Sequence, residues 1–289
     1  MKKILVTGAK GQLGNELFLL SKDQTGYKFL FHDIDTLDLT DFKSVEDFLG
    51  TTKPDIIINC AAYTSVDKAE QEREKAYLIN ADIPGKLAVL SAKINAFMIH
   101  ISTDYVFDGR NYKPYKENDL PNPLSIYAKS KHDGEKKVLG FDNTVVIRTS
   151  WLYSRFGNNF VKTMLRLGKE REFLNIVYDQ TGTPTYAHDL AVVIIKLTEN
   201  LFKDNNIRGI YHFSNEGVCS WYDFAKEIIA FADYDCTVIP ITTDLYPLPA
   251  VRPNYTVMDK LKIKKALNIT IPHWKDSLVN CLKDIKQTS

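Results

Sequence analysis

The chain has 289 residues, enough for one large core or for a core with an appended lobe. It is 44% hydrophobic and 25% charged, and its 37 basic and 36 acidic residues leave a net charge of +1, which gives no support to a nucleic-acid partner held by bulk charge. No apolar run approaches the ~18 residues of a membrane span, and no two of Cys60, Cys219, Cys236 and Cys281 stand at Cys-x-x-Cys spacing, so neither a zinc nor a redox motif is indicated.

From the N-terminus, the first half alternates apolar strands with helices. A strand over 3–6 runs straight into Gly8-Ala9-Lys10-Gly11-Gln12-Leu13-Gly14, which leaves no room for a signal peptide and predicts a cytoplasmic protein with reduced thiols. A helix over 12–21 follows, then a strand over 28–32 and a helix over 41–49 with Asp41 as its N-cap. The run 55–60, Asp-Ile-Ile-Ile-Asn-Cys, suits a central parallel strand buried on both faces, with Cys60 as a small core residue. A helix over 81–93, a strand over 96–101, a helix over 127–139 and a strand over 144–147 complete this half. The alternation predicts an α/β fold, a Rossmann-like doubly wound parallel sheet.

The second half is less regular. Helices are expected over 158–167, 188–201 and 221–232, with a last one starting near Trp274. A short strand is expected over 209–213, a turn-rich loop over 179–185 and a proline-rich loop over 246–253. Residues 1–150, with parts of the second half returning to the sheet, are expected to form an NAD(P)-binding domain. Residues 151–289 are expected to form mainly a smaller substrate-binding lobe over the carboxyl ends of the strands, where ligands bind in such sheets.

Gly8, Gly11 and Gly14 follow the first strand. Glycines permit a tight turn and let backbone N–H groups approach a pyrophosphate, and the helix behind adds its positive end. The spacing is Gly-x-x-Gly-x-x-Gly, not the common Gly-x-Gly-x-x-Gly, but the strand before and the helix after supply the context this mechanism needs. Asp33 stands 19 residues after Gly14, where an acidic side chain usually takes the ribose hydroxyls of NAD; a loop cap is the plainer reading. An acid there would repel the extra phosphate of NADP, and no arginine lies between Thr25 and Thr40 to bind it, so NADH is favoured over NADPH. Asp38 and Leu39 are candidates to flank the adenine. Ala61, Ala62, Tyr63 and Thr64 follow the third strand, and the small residues among them let a flat cofactor pass close to the backbone; tight helix–strand packing would read the same way.

Tyr127 and Lys131 stand four apart on one helix face. A tyrosine hydroxyl, with an ordinary pKa near ~10, is a poor acid–base catalyst at neutral pH. A lysine cation beside it favours the phenolate and moves it toward the working range. Such a pair alone is common on solvated helix faces; downstream of a nucleotide turn it predicts a redox enzyme acting on a carbonyl or an alcohol. Ser102 or Thr103, closing the fourth strand, offers a hydroxyl to that carbonyl oxygen.

At this point the sequence resembles the extended short-chain dehydrogenase/reductases over nearly its whole length, on Gly8, Gly11, Gly14, Tyr127 and Lys131. Longer stretches resemble one family within it, the dTDP-4-dehydrorhamnose reductases: residues 66–70, 102–107, 148–151 and 157–165, the pattern Asp179-Gln180-x-Gly182-x-Pro184-Thr185, and Arg252-Pro253. The resemblance implies that Thr103, Tyr127 and Lys131 are the catalytic trio. It implies that Gly11, Gln12, Leu13, Asp38, Leu39, Ala62, Tyr63 and Thr64 line an NAD(P)H site, and that Asp104 and Trp151 touch the deoxysugar nucleotide. The implied reaction delivers a hydride from the nicotinamide to C4 of dTDP-4-dehydro-L-rhamnose. Tyr127 protonates the developing alkoxide, Thr103 steadies it, and Lys131 also holds the nicotinamide ribose. Arg252 is a candidate for the diphosphate, which a guanidinium binds bidentately; a surface ion pair is the alternative.

Some relatives are dimers joined through magnesium on glutamates. Glu16 matches the first such position, but His188 and Lys275 stand at the others, and a lysine cannot ligate a hard cation. No metal ligand is assigned; Mg2+ and a homodimer are left open. A sibling reductase forming dTDP-6-deoxy-L-talose, or an epimerase, would share the trio. A non-catalytic partner resembling the beta subunit of methionine adenosyltransferase is the rival from another class, and the intact trio favours an enzyme over it.

Overall fold

Strands buried on both faces need apolar residues at every position, and this chain supplies them. The computed structural model describes residues 1–203 and 206–288. Its main sheet contains β1 (Lys2–Thr7), β2 (Tyr27–His32), β3 (Ile56–Asn59), β4 (Phe97–Thr103), β5 (Thr144–Thr149) and a sixth strand, Gly209–His212. They lie in the order β2-β1-β3-β4-β5 and then Gly209–His212, and every neighbouring pair is parallel. Ile4, Val6, Ile56 and Ile58 face one helical layer, built on Leu13 and Leu17 of α1 (Gln12–Ser21) and on Leu190, Ile194 and Leu197 of the helix Ala187–Lys203. Leu5, Ile57, Met98 and Val146 face the other, built on Val45, Leu49, Leu87 and Val138. The alternation of one strand's side chains between two helical layers is the doubly wound arrangement.

Local signals set the helix starts. Asp41 accepts the Ser44 N–H at 3.0 Å and caps Phe42–Thr52. Ser125 accepts the Ala128 N–H at 3.2 Å and caps Ile126–Val138. The helix expected over 81–93 begins at Ile83, because the chain first makes Arg73–Tyr77 and a wider π-type turn, Leu78–Asp82. Asn80 in that turn accepts the Tyr63 N–H at 2.8 Å and donates to the Tyr63 carbonyl at 3.0 Å.

A second core is made wholly of residues after 150: Val161 and Met164, Phe224 and Ile228, and Trp274, Leu278 and Cys281, with Leu174 and Val238 between them. The last two sit on a parallel strand pair, Phe173–Val177 and Thr237–Ile241, that the sequence did not announce. Phe173 is exposed, and Pro240 interrupts the apolar run of the second strand, so neither reads as buried β-structure. The segment expected as a loop over 179–185 is instead a seam: Thr181–Gly182 pairs with Cys219–Ser220, and Thr185–Tyr186 pairs with Leu152–Tyr153.

Candidate active site

Side chains added to the glycine turn show why it has none. Gly8 has a φ of +66°, and a Cβ there would lie 2.6 Å from the Ala61 nitrogen. A Cβ on Gly14 would lie 2.6 Å from the Ala9 Cα. Gly11 is roomier, with the Gly8 carbonyl oxygen 3.2 Å away, and its bareness serves the open face of the turn. It is the N-cap of α1, offers no side-chain cap, and is followed by no acid in the first turn. The first N–H groups of α1 and its positive end are thus left for an anion, and a dinucleotide pyrophosphate fits this cradle.

From the turn, a cleft of about 550 Å³ crosses the carboxyl ends of β1, β3 and β4. It brings together Gly8, Gly11, Gln12, Leu13 and Gly14, Ala62 and Thr64, Thr103 and Asp104, Tyr127 and Lys131, and Trp151. Cys60, expected in the core, is half-buried and lines this cleft because it lies just past the end of β3. Ala61 lies behind Gly8. Tyr63 is buried, its hydroxyl donating to Glu72 at 3.1 Å. Asp33 accepts the Lys10 N–H at 2.8 Å and the Ile34 N–H at 2.9 Å, capping the turn from the end of β2. Asp38 accepts the Thr40 N–H and hydroxyl at 2.9 and 2.8 Å. Leu39 packs against the core behind the sheet. Arg252 grips Asp67 bidentately at 3.0 and 2.7 Å, the ion-pair alternative raised by the sequence.

The Thr103 hydroxyl donates to Asp104 at 3.1 Å and opposes the rise of the Tyr127 phenol. Burial pushes the Tyr127 phenol up to about 12. Burial also brings the Lys131 ammonium down to about 8, against the pull of Glu135. Lys131 is 2% exposed, and its Nζ donates to the Ile101 carbonyl at 2.5 Å. The expected lowering of Tyr127 by Lys131 therefore does not operate in the isolated chain: the lysine is turned onto β4, and desolvation governs both groups. The tyrosine is stored as the neutral acid, the form that a carbonyl reduction consumes. Asp104, 2% exposed, is pushed up to about 7 by burial, which the Thr256 and Thr103 hydroxyls oppose.

Beneath Lys131, Glu135 accepts the Arg148 Nε at 2.9 Å and a terminal nitrogen at 2.7 Å, each side chain 1% exposed. Burial alone would raise this carboxyl; Arg148 above all holds it down at about 2.

Trp151 is the bulky exception in the backbone, with a φ of +45°. Its ring lies flat on Trp221, with centroids 3.6 Å apart and planes 9° apart. A Cβ on Gly182 would come within 2.9 Å of the Trp151 ring, so that glycine makes room for the stack. Trp221 opens the helix Trp221–Ala232, fixed by a Ser220–Asp223 capping box. Trp221 also lines a second groove of about 870 Å³, together with Phe160, Tyr246, Pro247 and Arg252. Asn159 donates to the Gln12 side chain at 2.9 Å, tying the start of a lobe helix to the glycine turn. Sequence reasoning gave no role to Trp221, Asn158 or Asn159, all of which line the first cleft. An aromatic at a helix start and a Gly-Asn-Asn run carry no chemistry until folding brings them to a cavity.

Glu16 is fully buried, accepting the Ser154 hydroxyl at 2.6 Å, with His188 Nδ1 3.4 Å from its other oxygen. Lys275 pairs with Glu227. Among the described residues no group of three or more His, Cys, Asp or Glu side chains could hold a metal ion.

The family model described as the RmlD substrate binding domain matches residues 1–287. A dTDP-4-dehydrorhamnose reductase of Aggregatibacter actinomycetemcomitans is 43% identical, over 97% of this chain and 98% of its own length. The spore coat polysaccharide biosynthesis protein SpsK of Bacillus subtilis is 42% identical over 98% of both chains. Among solved structures, a dTDP-4-dehydrorhamnose reductase of Bacillus anthracis in complex with NADP superposes with a TM-score of 0.93 at 41% identity, covering 98% of this chain and 100% of that one.

Proposed function

The chain belongs to the RmlD substrate binding domain family, and from that membership we propose that it reduces the 4-keto group of dTDP-4-dehydro-L-rhamnose to give dTDP-L-rhamnose, the last step of dTDP-rhamnose biosynthesis, with NADH or NADPH as donor. The observation that carries the reading is the meeting of Thr103, Tyr127 and Lys131 in the cleft that begins at the glycine turn.

A bound NAD(P)H supplies the hydride that goes to C4 of the sugar. Tyr127, held as the neutral phenol by burial, gives its proton to the oxygen that becomes O4. The Thr103 hydroxyl, turned from Asp104, donates to the same oxygen as charge develops on it. Lys131, whose ammonium is on the Ile101 carbonyl, would hold the nicotinamide ribose of a bound cofactor, and its charge would favour the phenolate that Tyr127 becomes. Asp104 and Trp151 hold the deoxysugar. The groove beyond Trp221 has room for the thymidine diphosphate, with Arg252 at its wall. In this reading residues 1–150, with Ala187–Lys203 and Gly209–His212, carry the cofactor, and the remainder mainly carries the substrate. The four cysteines are free, in keeping with a reducing cytoplasm, and no helix among the described residues is long and apolar enough to cross a membrane.

The test is oxidation of reduced nicotinamide by the purified chain with freshly made dTDP-4-dehydro-L-rhamnose, followed by identification of the sugar. Formation of dTDP-L-rhamnose is the expected result. The talose isomer would overturn the stereochemical assignment. No oxidation by a chain that binds NADPH would overturn the reductase reading.

A further inference from the structure

Trp151 and Trp221 meet where two cavities join. Among the described residues, Trp221 is the one that lines both the cleft beginning at the glycine turn and the larger groove beyond it. Trp151 lines the first, from a backbone with a φ of +45°. A bulky side chain keeps that left-handed region only where its surroundings impose it. They do so here from two sides. The Trp151 carbonyl accepts the Thr185 N–H at 3.2 Å, and the buried Ser150 hydroxyl donates to the Thr183 carbonyl at 2.6 Å, so the main chain is tied to the seam. The indole has Trp221 as its only ring partner among the described residues, with centroids 3.6 Å apart. Trp221 is itself anchored. The Phe160 ring lies 4.7 Å from it, its helix starts on the Ser220–Asp223 capping box, and Cys219–Ser220 pairs with the Thr181–Gly182 strand beside the Trp151 ring.

Resting on the reductase reading, we propose that Trp221 is a positioning residue for that reaction: stacked on Trp151, it holds the indole as a fixed wall of the sugar pocket, and it acts on the nucleotide-linked deoxysugar through Trp151. With one face against Trp221, the Trp151 ring leaves its other face to the cleft, and a flat apolar surface suits the C–H face of a pyranose. A sugar pressed on a wall that does not turn presents C4 to the hydride in one pose, and holding a reactant in its reactive pose speeds the step. Without the Trp221 ring, Trp151 loses the contact that opposes relaxation of its strained backbone. The wall then yields, while the cofactor cradle at Gly8, Gly11 and Gly14 is untouched.

A double-mutant cycle on the full chain tests this, read as kcat/KM for dTDP-4-dehydro-L-rhamnose at saturating NADPH. Trp221→Leu should lower it about tenfold, the worth of one aromatic stack, mainly through KM for the sugar nucleotide. Calorimetric titration should show NADPH binding changed by less than about twofold. Trp151→Leu should lower kcat/KM at least as much, and the double variant no further than Trp151→Leu alone, because the two rings act as one unit. Trp221→Phe keeps a smaller flat ring and should hold the loss to about threefold. A thermal melt checks each fold, and where Trp221→Leu does not fold the cycle is run with Trp221→Phe. Losses that multiply in the double variant would overturn the proposal and leave the reductase reading standing. So would a folded Trp221→Leu chain with unchanged kcat/KM, or one that loses NADPH binding in step with activity. No oxidation of NADPH by the unaltered chain would overturn the reading and the proposal together.

Discussion

Replacing Glu135 by glutamine would remove one charge from the floor of the active site and leave the Arg148 guanidinium, 1% exposed, facing an amide. Folding holds this carboxyl at about 2 instead of its usual 4.5, a difference worth about 3 kcal/mol. Breaking a buried pair from one side costs about 3–5 kcal/mol in general, so the two routes agree. The sign follows from the depressed value: the contribution is complete above pH 4.5 and is lost as pH falls toward 2. Urea unfolding at neutral pH should place Glu135→Gln about 3 kcal/mol below the parent with an unchanged slope, and the gap should shrink by roughly two fifths at pH 3.5. A gap below about 1 kcal/mol at neutral pH, or one as large at pH 3.5, would refute the view that this pair is a net stabilising charge contact. The substitution has a second consequence. Glu135 supports the Lys131 cation against burial, so the variant's pH–rate profile should move acidward where it depends on that ammonium.

Tyr127→Phe should fold and bind NADPH as the parent does while losing about 10²–10⁴ in turnover, measured under saturating substrate; unchanged turnover would remove Tyr127 from the chemistry. Asp104 has a raised folded value of about 7 against an ordinary 3.8, so the stability tied to its neutral form is intact at low pH and is lost as pH rises through 7. Asp104→Asn should therefore melt above the parent at pH 8, and the advantage should narrow toward pH 5; an advantage that grows on acidification would contradict the burial argument. Gly8→Ala places a Cβ against the Ala61 backbone at a φ of +66°. It should lower the melting temperature and weaken NADPH and NADH alike by at least about tenfold in a calorimetric titration.

The parts of the fold that the sequence announced are those whose cause is local or periodic. The triple isoleucine of β3, the Asp41 cap and the turn from Gly8 to Gly14 each carry their reason within a few residues, and the structure places them where expected. The pair Phe173–Val177 and Thr237–Ile241 was illegible because its partners lie far apart in sequence and one contains a proline. The site divides in the same way. Tyr127 and Lys131 share a helix face, so their spacing reveals them, but the direction in which Lys131 turns depends on the Ile101 carbonyl of another element. Trp221 could not be read at all, since its place on the cleft wall arises only from lying on Trp151.

The sheet closes with a strand that arrives late. Gly209–His212 pairs with β5, and the helix Ala187–Lys203 covers the face formed by Ile4, Val6 and Ile56. During synthesis, then, the glycine turn emerges long before the layer that buries its strand. A nascent chain cut off near residue 150 would display a broad apolar sheet face to the ribosome's surroundings, a state prone to association. Completion waits on contacts nearly 200 residues apart, so slow, late-committing maturation with a need for shielding on the way is the expected biogenesis of this chain.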